Sequence, residues 1–201
     1  EKFLIMRIFL IGPMGTGKSI IGKILAKKID SKFIDTDKLI ETQEGIKIKE
    51  IFNSKGENYF RDLEVNALEK TLTFDFAVIA TGGGIIERET NRLLLKNEQN
   101  VFFLNSSIKR QFERTKDSDK RPLLNKDNNL KILEELYNKR LRHYENVSRY
   151  QIMMDNKTND EIIDQIIRNT WKRYLSKLYQ KTIKFVLEKD FQEVLILTPL
   201  Y

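Results

Sequence analysis

Short apolar runs alternate with segments in which apolar residues recur at helical spacing, from the start of the chain to about residue 170. Five of the runs are rich in branched and aromatic residues and are apolar on both faces, which predicts buried strands. They lie at Arg7–Ile11, Lys32–Asp35, Phe76–Ala80, Val101–Leu104 and Gln151–Met154. Because helical segments separate them, we expect a doubly wound α/β fold, with a five-stranded parallel sheet covered by helices on both faces.

The helical segments between these runs carry apolar residues at i, i+3 and i+4. They lie at Ser19–Lys28, Ile46–Asn53, Tyr59–Leu72, Glu87–Lys96, Ile108–Arg114 and Leu130–Tyr144. Each connects two predicted strands or follows another predicted helix, which fits crossover connections in a parallel sheet.

The last part of the chain is predicted to be a separate extension. Thr158 and Glu161 are spaced as a capping box, which predicts that a helix begins there. Apolar residues continue at helical spacing as far as Leu178, and the run Val194–Leu197 is strand-like. We expect a domain over residues 1–168 and a helical extension over residues 169–201 that docks against it. The stub of a fused partner domain and an oligomer contact stay open as alternatives.

The composition fits a folded protein that acts on small anionic molecules. The 201 residues are 40% hydrophobic and 32% charged, with three prolines and a net charge of +7. Basic residues are spread along the chain and interrupted by acids, which does not favour nucleic acid as a partner. No apolar run approaches 18 residues and no signal peptide is recognisable, so we expect a cytoplasmic protein without a membrane partner. With no cysteine and one histidine, the sequence excludes disulfides, thiol chemistry and a multi-histidine metal centre.

Residues 12–19, GPMGTGKS, fit the phosphate-binding pattern G-x-x-x-x-G-K-[ST]. They lie between a predicted strand and a predicted helix, the context in which a P-loop forms. Glycines let the backbone curl with its N–H groups pointing inward, and the following helix adds the positive end of its dipole. Lys18 can reach the β- and γ-phosphates of a nucleotide, and the Ser19 hydroxyl can bind Mg²⁺. A glycine-rich turn without a ligand is the alternative.

Two further polar segments follow predicted strands, at the sheet edge where α/β proteins bind ligands. Asp35 and Asp37 point the same way if the strand geometry continues. One carboxylate can then hold a metal through water while the other orients or deprotonates an attacking hydroxyl, unless the pair only caps a helix or a turn. Gly82–Gly84 allow a small ligand to approach the backbone, or form a flexible turn. The polar stretch 116–129, interrupted by Pro122, predicts a mobile loop.

Taken in order, these segments resemble the shikimate kinase family of P-loop kinases. The matching segments are residues 12–19, FIDTDKLIE (Phe33–Glu41), GENYFRDLE (Gly56–Glu64), ATGGG (Ala80–Gly84), KRPLL (Lys120–Leu124) and KRLRHY (Lys139–Tyr144). The resemblance extends over roughly residues 6 to 168. The resemblance implies a five-stranded P-loop kinase fold with a mobile lid at residues 116–129. It also implies that Mg²⁺-ATP phosphorylates the 3-hydroxyl of shikimate, in aromatic amino acid (chorismate) biosynthesis. We expect a monomer.

The resemblance assigns roles to the positions that match its motifs. Ser19 and Asp35 are the metal-binding candidates, and the catalytic candidates are Lys18, Asp37 as the base, and Arg121 as the lid arginine over the transferring phosphate. The nucleotide-binding candidates are Gly12, Gly15, Thr16, Gly17, Lys18, Ser19, Ile20, Arg114, Arg121 and Lys157. The substrate-binding candidates are Asp37, Arg61, Gly82, Gly83, Gly84 and Arg140, with the two arginines on the shikimate carboxylate.

Both arginines also have an ordinary structural interpretation. Arg61 can form a surface ion pair with Glu64, three residues further along a helix. Arg140 can belong to a solvated face with its basic neighbours Lys139 and Arg142. A carboxylate ligand nevertheless favours planar guanidinium partners, which supports the role that the resemblance implies for this pair.

Two other functions compete with this interpretation. One is another small-metabolite kinase of the same fold, such as a gluconate-kinase-like protein, and the paired arginines with Asp37 and the triple glycine weigh against it. The other is a non-catalytic nucleotide-binding module. Such a module is expected to have lost Lys18, Asp37 or Arg121, and the sequence retains all three.

Overall fold

The fold is built on one parallel sheet of five strands. The computed structural model describes residues 6–115 and 129–196, without the side chains of residue 129, residues 177–178 and residues 180–196. The strands are β1 (Met6–Ile11), β2 (Lys32–Asp35), β3 (Phe76–Ala80), β4 (Asn100–Asn105) and β5 (Tyr150–Met153), in the order β2-β3-β1-β4-β5. All four neighbouring pairs are parallel, which confirms the predicted architecture.

Seven helices are seen in the described ranges. They are α1 (Lys18–Lys28), α2 (Thr36–Glu44), α3 (Ile48–Thr71), α4 (Glu89–Asn97), α5 (Ile108–Thr115), α6 (Asn129–Val147) and α7 (Asn159–Ile196). The two helices predicted on either side of Gly56 join in α3, which bends at this glycine (φ 80°, ψ 171°). The sequence pattern missed α2, because this short helix starts directly after β2 and buries only Thr36 and Ile40.

The strand order brings the candidate segments to one edge of the sheet. β1 is central, with β3 on one side and β4 on the other. Asp35 at the end of β2 pairs with Ala80 at the end of β3, and Leu10 of β1 pairs with the same alanine. The segments that follow β1, β2 and β3 therefore leave the sheet side by side. Apolar side chains from both faces of these strands form the core, with Phe9, Ile79 and Phe103 fully buried.

The described part of the chain divides into two compact units, with the division between Ile163 and Asp164. Helix α7 begins at the predicted capping box, where Thr158 N–H donates to Glu161 Oε2 (2.7 Å) and Glu161 N–H donates to Thr158 Oγ1 (3.3 Å). The strand-like interpretation of Val194–Leu197 is wrong for the first three residues, which lie in α7, and Leu197 is outside the described residues. A short apolar run is ambiguous between strand and helix, and a helix that has already begun continues cooperatively.

None of the helices within residues 6–115 and 129–196 is both long enough and apolar enough to cross a membrane.

Candidate active site

The loop between β1 and α1 adopts the conformation that its glycines permit. Gly12, Gly15 and Gly17 have φ values of 140°, 77° and 94°, which other residues rarely adopt. A side chain on Gly12 would also overlap the carbonyl oxygen of Leu104 in the neighbouring strand. The loop therefore depends on these glycines for its conformation and for its packing against β4.

Lys18 is buried against this loop. Its Nζ donates to the carbonyl oxygens of Gly12 and Pro13, both at 2.7 Å, and Thr16 Oγ1 donates to the Pro13 carbonyl at 3.0 Å. These bonds hold the ammonium beside a cleft of about 380 Å³. The cleft is lined by Gly15, Gly17, Lys18, Ser19, Ile20, Asp37, Thr81, Gly83 and Arg114.

Ser19 and Asp35 bring a hydroxyl and a carboxylate together beside the loop. Ser19 Oγ donates to Asp35 Oδ2 at 2.6 Å, and Asp35 Oδ1 accepts from the backbone N–H of Lys38 at 3.3 Å, which caps α2. Asp35 thus contacts Ser19 and caps a helix at once. Hydroxyl and carboxylate oxygens suit Mg²⁺, which protein sites hold through one or two side chains together with phosphate and water. Among the described residues, no cluster of three or more His, Cys, Asp or Glu side chains offers a metal cage.

Asp37 lines the cleft from a helix and not from the continued strand that the sequence analysis considered. The strand geometry does not continue through it, because α2 begins at Thr36 and Asp37 lies in the first helical turn. Its carboxylate lies against the loop after β3, where a side chain on Gly82 would overlap Asp37 Oδ1. The same added atom would lie 3.0 Å from Glu64 Oε1, so the two carboxyl groups approach Gly82 from the same side.

Each of the three consecutive glycines approaches a different group. Gly82 N–H donates to Thr36 Oγ1 at 3.1 Å and faces Asp37. A β-carbon on Gly83 would lie 3.2 Å from the backbone nitrogen of Met14 in the P-loop, and one on Gly84 would overlap the guanidinium of Arg61. None of the three has a positive φ. Glycine is therefore required here for space and not for backbone conformation.

Arg61 is buried on α3, with 5% of its surface exposed. Its Nε and NH2 groups donate to Glu57 Oε1 at 3.1 and 2.6 Å, and NH1 donates to Glu64 Oε2 at 2.6 Å. The ion pair with Glu64 considered in the sequence does form, but it is buried and not on the surface. Two carboxylates therefore hold this guanidinium in a fixed orientation next to Gly84.

The buried carboxyl group of Glu64 lies between Arg61 and the Asp37 carboxylate. Burial raises the pKa of its carboxyl to about 7, although the positive charge and hydrogen bond of Arg61 lower that pKa. The negative charge of Asp37 also raises the pKa, and the positive charge of Arg140 lowers it. Arg61 is hydrogen-bonded to this buried carboxyl group, and Asp37 approaches Gly82 from the same side as Glu64 does. In such a cluster a carboxyl can change its protonation near neutral pH.

Arg140 of α6 is also buried, with 3% of its surface exposed, so the solvated-face interpretation is wrong for this residue. Its Nε donates to Glu87 Oε1 at 2.7 Å. One turn further along α6, the buried hydroxyl of Tyr144 donates to the Gly83 carbonyl. Both Arg61 and Arg140 lower the pKa of this tyrosine, although its burial raises that pKa above the ordinary value. Arg61 lies against Gly84 and Arg140 is bonded to Glu87, three residues further along, so both arginines lie beside the loop that contains Gly83.

The remaining candidates differ in how far the structure places them. Arg114 lines the cleft, and its NH1 donates to the Thr16 carbonyl at 3.3 Å. Lys157 lies between β5 and α7, next to Glu161, and is not among the residues that line the cleft. Arg121 and residues 116–128 of the predicted lid lie outside the described residues.

Three acidic residues of the site had no predicted role. Glu64 was considered only as a surface partner of Arg61. Glu57 lies four residues before Arg61, a helical spacing that could have indicated the contact. Glu87 has no comparable local signal, because its partner Arg140 is 53 residues away in the chain.

The class of protein follows from these features. A parallel sheet in the order β2-β3-β1-β4-β5, a P-loop after its central strand and a cluster of buried charged side chains beside the glycine loop define a P-loop kinase of the nucleoside-monophosphate-kinase type. The family model described as shikimate kinase matches residues 14–171.

Relatives agree with this match. The shikimate kinase of Sulfurihydrogenibium sp. is 39% identical over 166 residues, which are 83% of this chain and 98% of the relative. That of Persephonella marina is 41% identical over 160 residues, 80% and 96% of the two chains. A solved shikimate kinase from Acinetobacter baumannii, in complex with shikimate, superposes with a TM-score of 0.81 at 32% identity, covering 86% of this chain and 96% of that one. The chain therefore belongs to the shikimate kinase family and is a phosphotransferase, which confirms the resemblance of its motifs.

Proposed function

We propose that this chain transfers the γ-phosphoryl group of ATP to the 3-hydroxyl of shikimate, giving shikimate 3-phosphate and ADP in aromatic amino acid biosynthesis. The observation that carries the proposal is that Arg61 and Arg140 both lie beside the glycine loop and its continuation to Glu87, next to Asp37. Two buried guanidinium groups suit the carboxylate of a small acid, and the adjacent P-loop suits a nucleotide.

The nucleotide binds along the cleft. The P-loop amides and the Lys18 ammonium bind its phosphates, and Arg114 and Ile20 lie at the cleft wall. Lys157 and Arg121 are the further nucleotide contacts that we propose. Ser19 and Asp35 would hold Mg²⁺, which when bound neutralises charge on the β- and γ-phosphates.

The acceptor binds between the glycine loop and α3. Arg61 and Arg140 hold its carboxylate, and Gly82–Gly84 leave room for its ring. Asp37 accepts a hydrogen bond from the acceptor hydroxyl. This contact orients the hydroxyl so that a lone pair of its oxygen points toward the γ-phosphate of the nucleotide. Discrimination among acceptors then depends on the carboxylate, because a ligand without it leaves the two terminal nitrogens of the buried Arg140 without an anionic partner.

Transfer itself requires little covalent chemistry from the protein. The hydroxyl oxygen forms a bond to the γ-phosphorus while the bond from that phosphorus to the β,γ-bridging oxygen breaks, and Asp37 accepts the hydroxyl proton. Lys18 and Arg121 stabilise the negative charge that moves onto the phosphate oxygens. ADP leaves with the bridging oxygen.

We also propose that the enzyme acts as a monomer in the cytoplasm, where ATP is available, with residues 1–168 as the catalytic domain. Every proposed site side chain precedes residue 169, and both substrates are small molecules. No nucleic-acid or membrane partner is needed for this activity.

A coupled assay tests the proposal. ADP release is followed with shikimate, gluconate or a nucleoside monophosphate as acceptor, and the product is identified by mass spectrometry. We expect turnover with shikimate and a product that is heavier by one phosphoryl group. Transfer to another acceptor with none to shikimate would refute the proposal, and Asp37→Asn serves as the matched inactive control.

A further inference from the structure

Glu87 has a backbone fixed by hydrogen bonds and a carboxylate that contacts Arg140. It lies between β3 and α4, and its N–H donates to the Gly84 carbonyl at 2.9 Å. Arg92 NH1 donates to the carbonyl oxygens of Ile86 and Glu87 at 2.7 and 2.8 Å. The backbone at Glu87 is therefore held on both sides, and its side chain, 15% exposed, starts from a fixed point.

The two oxygens of Glu87 have different partners. Oε1 accepts from the buried Arg140 Nε at 2.7 Å, and Oε2 lies 3.3 Å from the Nζ of Lys139, whose side chain is 67% exposed. Burial raises the pKa of the Glu87 carboxyl, but the hydrogen bond and charge of Arg140, with those of Lys139, leave it below the ordinary value. Glu87 is thus ionised at neutral pH and faces a buried cation.

Arg61 and Arg140 are held in different ways. The three nitrogens of Arg61 are all engaged, by Glu57 and Glu64. Within the part of the chain that the structure describes, the only hydrogen bond of Arg140 is the one from Nε. Because a guanidinium is planar and rigid, fixing Nε also fixes the direction of the two terminal nitrogens. Those nitrogens have their full donor capacity available for a ligand.

We propose that Glu87 is a positioning residue, which holds Arg140 through Nε so that its two terminal nitrogens can bind the substrate carboxylate. This inference rests on the proposed function, in which Arg140 contacts that carboxylate. Glu87 itself does not touch the substrate. Without it, Arg140 is a buried cation with no fixed orientation, and it must be reoriented each time the acceptor binds.

The test compares variants of Glu87 by calorimetric titration with shikimate. We expect Glu87→Ala to raise the Kd for shikimate about tenfold while the Kd for ATP changes less than about twofold. Glu87→Gln retains an oxygen that accepts from Nε, so it should stay within about threefold of the wild type. Glu89→Gln makes the same change at an exposed position two residues away and should leave both Kd values unchanged.

A ligand without the carboxylate separates positioning from general structural support. Shikimate methyl ester cannot form the charged pair with Arg140, so Glu87→Ala and the wild type should bind it with nearly equal Kd. A purely structural Glu87 would weaken the acid and the ester equally, and that result overturns the inference. A shikimate Kd within twofold of the wild type in Glu87→Ala overturns it too.

A measurement on the wild type covers the case in which Glu87→Ala does not fold. The Nε–H signal of Arg140 in nitrogen-15 NMR spectra is assigned by its loss in Arg140→Lys. On addition of shikimate, this signal should keep its hydrogen-bonded shift while rotation of the terminal NH₂ groups slows. A shift of Nε–H to the solvent-exposed value would mean that Glu87 is displaced, contrary to the proposal. If the proposed function fails instead, wild-type protein binds no shikimate at all.

Discussion

Replacing Gly84 by alanine tests whether Arg61 belongs to the acceptor site. Gly84 has no positive φ, so its backbone tolerates alanine. The new carbon would lie 2.6 Å from Arg61 Cζ and would overlap NH1, which forces the guanidinium to move. Glu64, 1% exposed, then loses its 2.6 Å hydrogen bond from NH1. One methyl group therefore displaces the cation without removing it.

The expected magnitudes follow from these contacts. Breaking a buried ion pair costs about 3–5 kcal/mol, and because Arg61 is displaced and not deleted, we expect a loss of about 3 kcal/mol in unfolding free energy. Hydrogen bonds between charged groups contribute about 1.5–3 kcal/mol, so the Kd for shikimate should rise roughly 10- to 100-fold. The Kd for ATP should change little, because the P-loop contacts Gly83 and not Gly84.

Urea denaturation and calorimetric titration measure both effects in Gly84→Ala, Arg61→Ala and the double variant. In the Arg61→Ala background, the added methyl group has no guanidinium to displace and should cost less than about 0.5 kcal/mol. Gly83→Ala is the matched control, since its β-carbon meets the Met14 nitrogen and should weaken ATP binding more than shikimate binding. A full Gly84→Ala effect without Arg61 would refute the reasoning.

Three further predictions concern single side chains. Asp37→Asn should lower kcat about 10²- to 10⁴-fold with little change in ATP affinity, measured by the coupled assay and titration; near-normal turnover would exclude a base at this position. Glu64 has a folded pKa of about 7, above its ordinary value, so its contribution to stability should be lost as pH rises from about 4.5 to 7. Glu64→Gln should flatten that part of the urea-derived stability profile, and an unchanged slope would contradict the shifted pKa. Ser19→Ala removes the hydroxyl beside Asp35 and should raise the Mg²⁺ concentration needed for half-maximal rate, whereas an unchanged requirement would exclude Ser19 as a ligand.

Most of the fold could be predicted because its signals are local and agree with one another. The three inner strands β1, β3 and β4 are apolar on both faces, which favours a covered parallel sheet, and all five strands were located to within one residue at either end. Helix α2 was missed because it buries only Thr36 and Ile40 and starts without a break after β2. A helix of nine residues with two buried side chains has almost no periodic signal.

The site was predicted less completely than the fold, for a different reason. Gly12–Ser19 carry their function in consecutive residues, so a motif is enough to find them. The contacts that hold Arg61 and Arg140 depend on burial, which sequence spacing does not report. Glu64 at i+3 from Arg61 predicts an exposed pair and a buried pair equally well, and the contact between Glu87 and Arg140 needs the tertiary structure.

The extension provides a final prediction about where the activity resides. The family match ends at Trp171, whereas the sequence continues to Tyr201, and 166 residues of this chain already cover 98% of the relative from Sulfurihydrogenibium sp.. Every proposed site residue precedes Asp164, where the second compact unit begins.

A chain that ends at Trp171 retains every proposed site residue and should therefore keep kcat and both KM values within about twofold of the chain that ends at Tyr201. Thermal unfolding and circular dichroism of both chains control for folding, and a chain that ends at Tyr179 serves as an intermediate length. If the chain that ends at Trp171 folds but its kcat falls tenfold or more, the extension contributes to catalysis and the catalytic domain does not end at residue 168. A change in KM for shikimate alone would instead place the contribution at the acceptor pocket, because ATP binding depends on the P-loop and its neighbours.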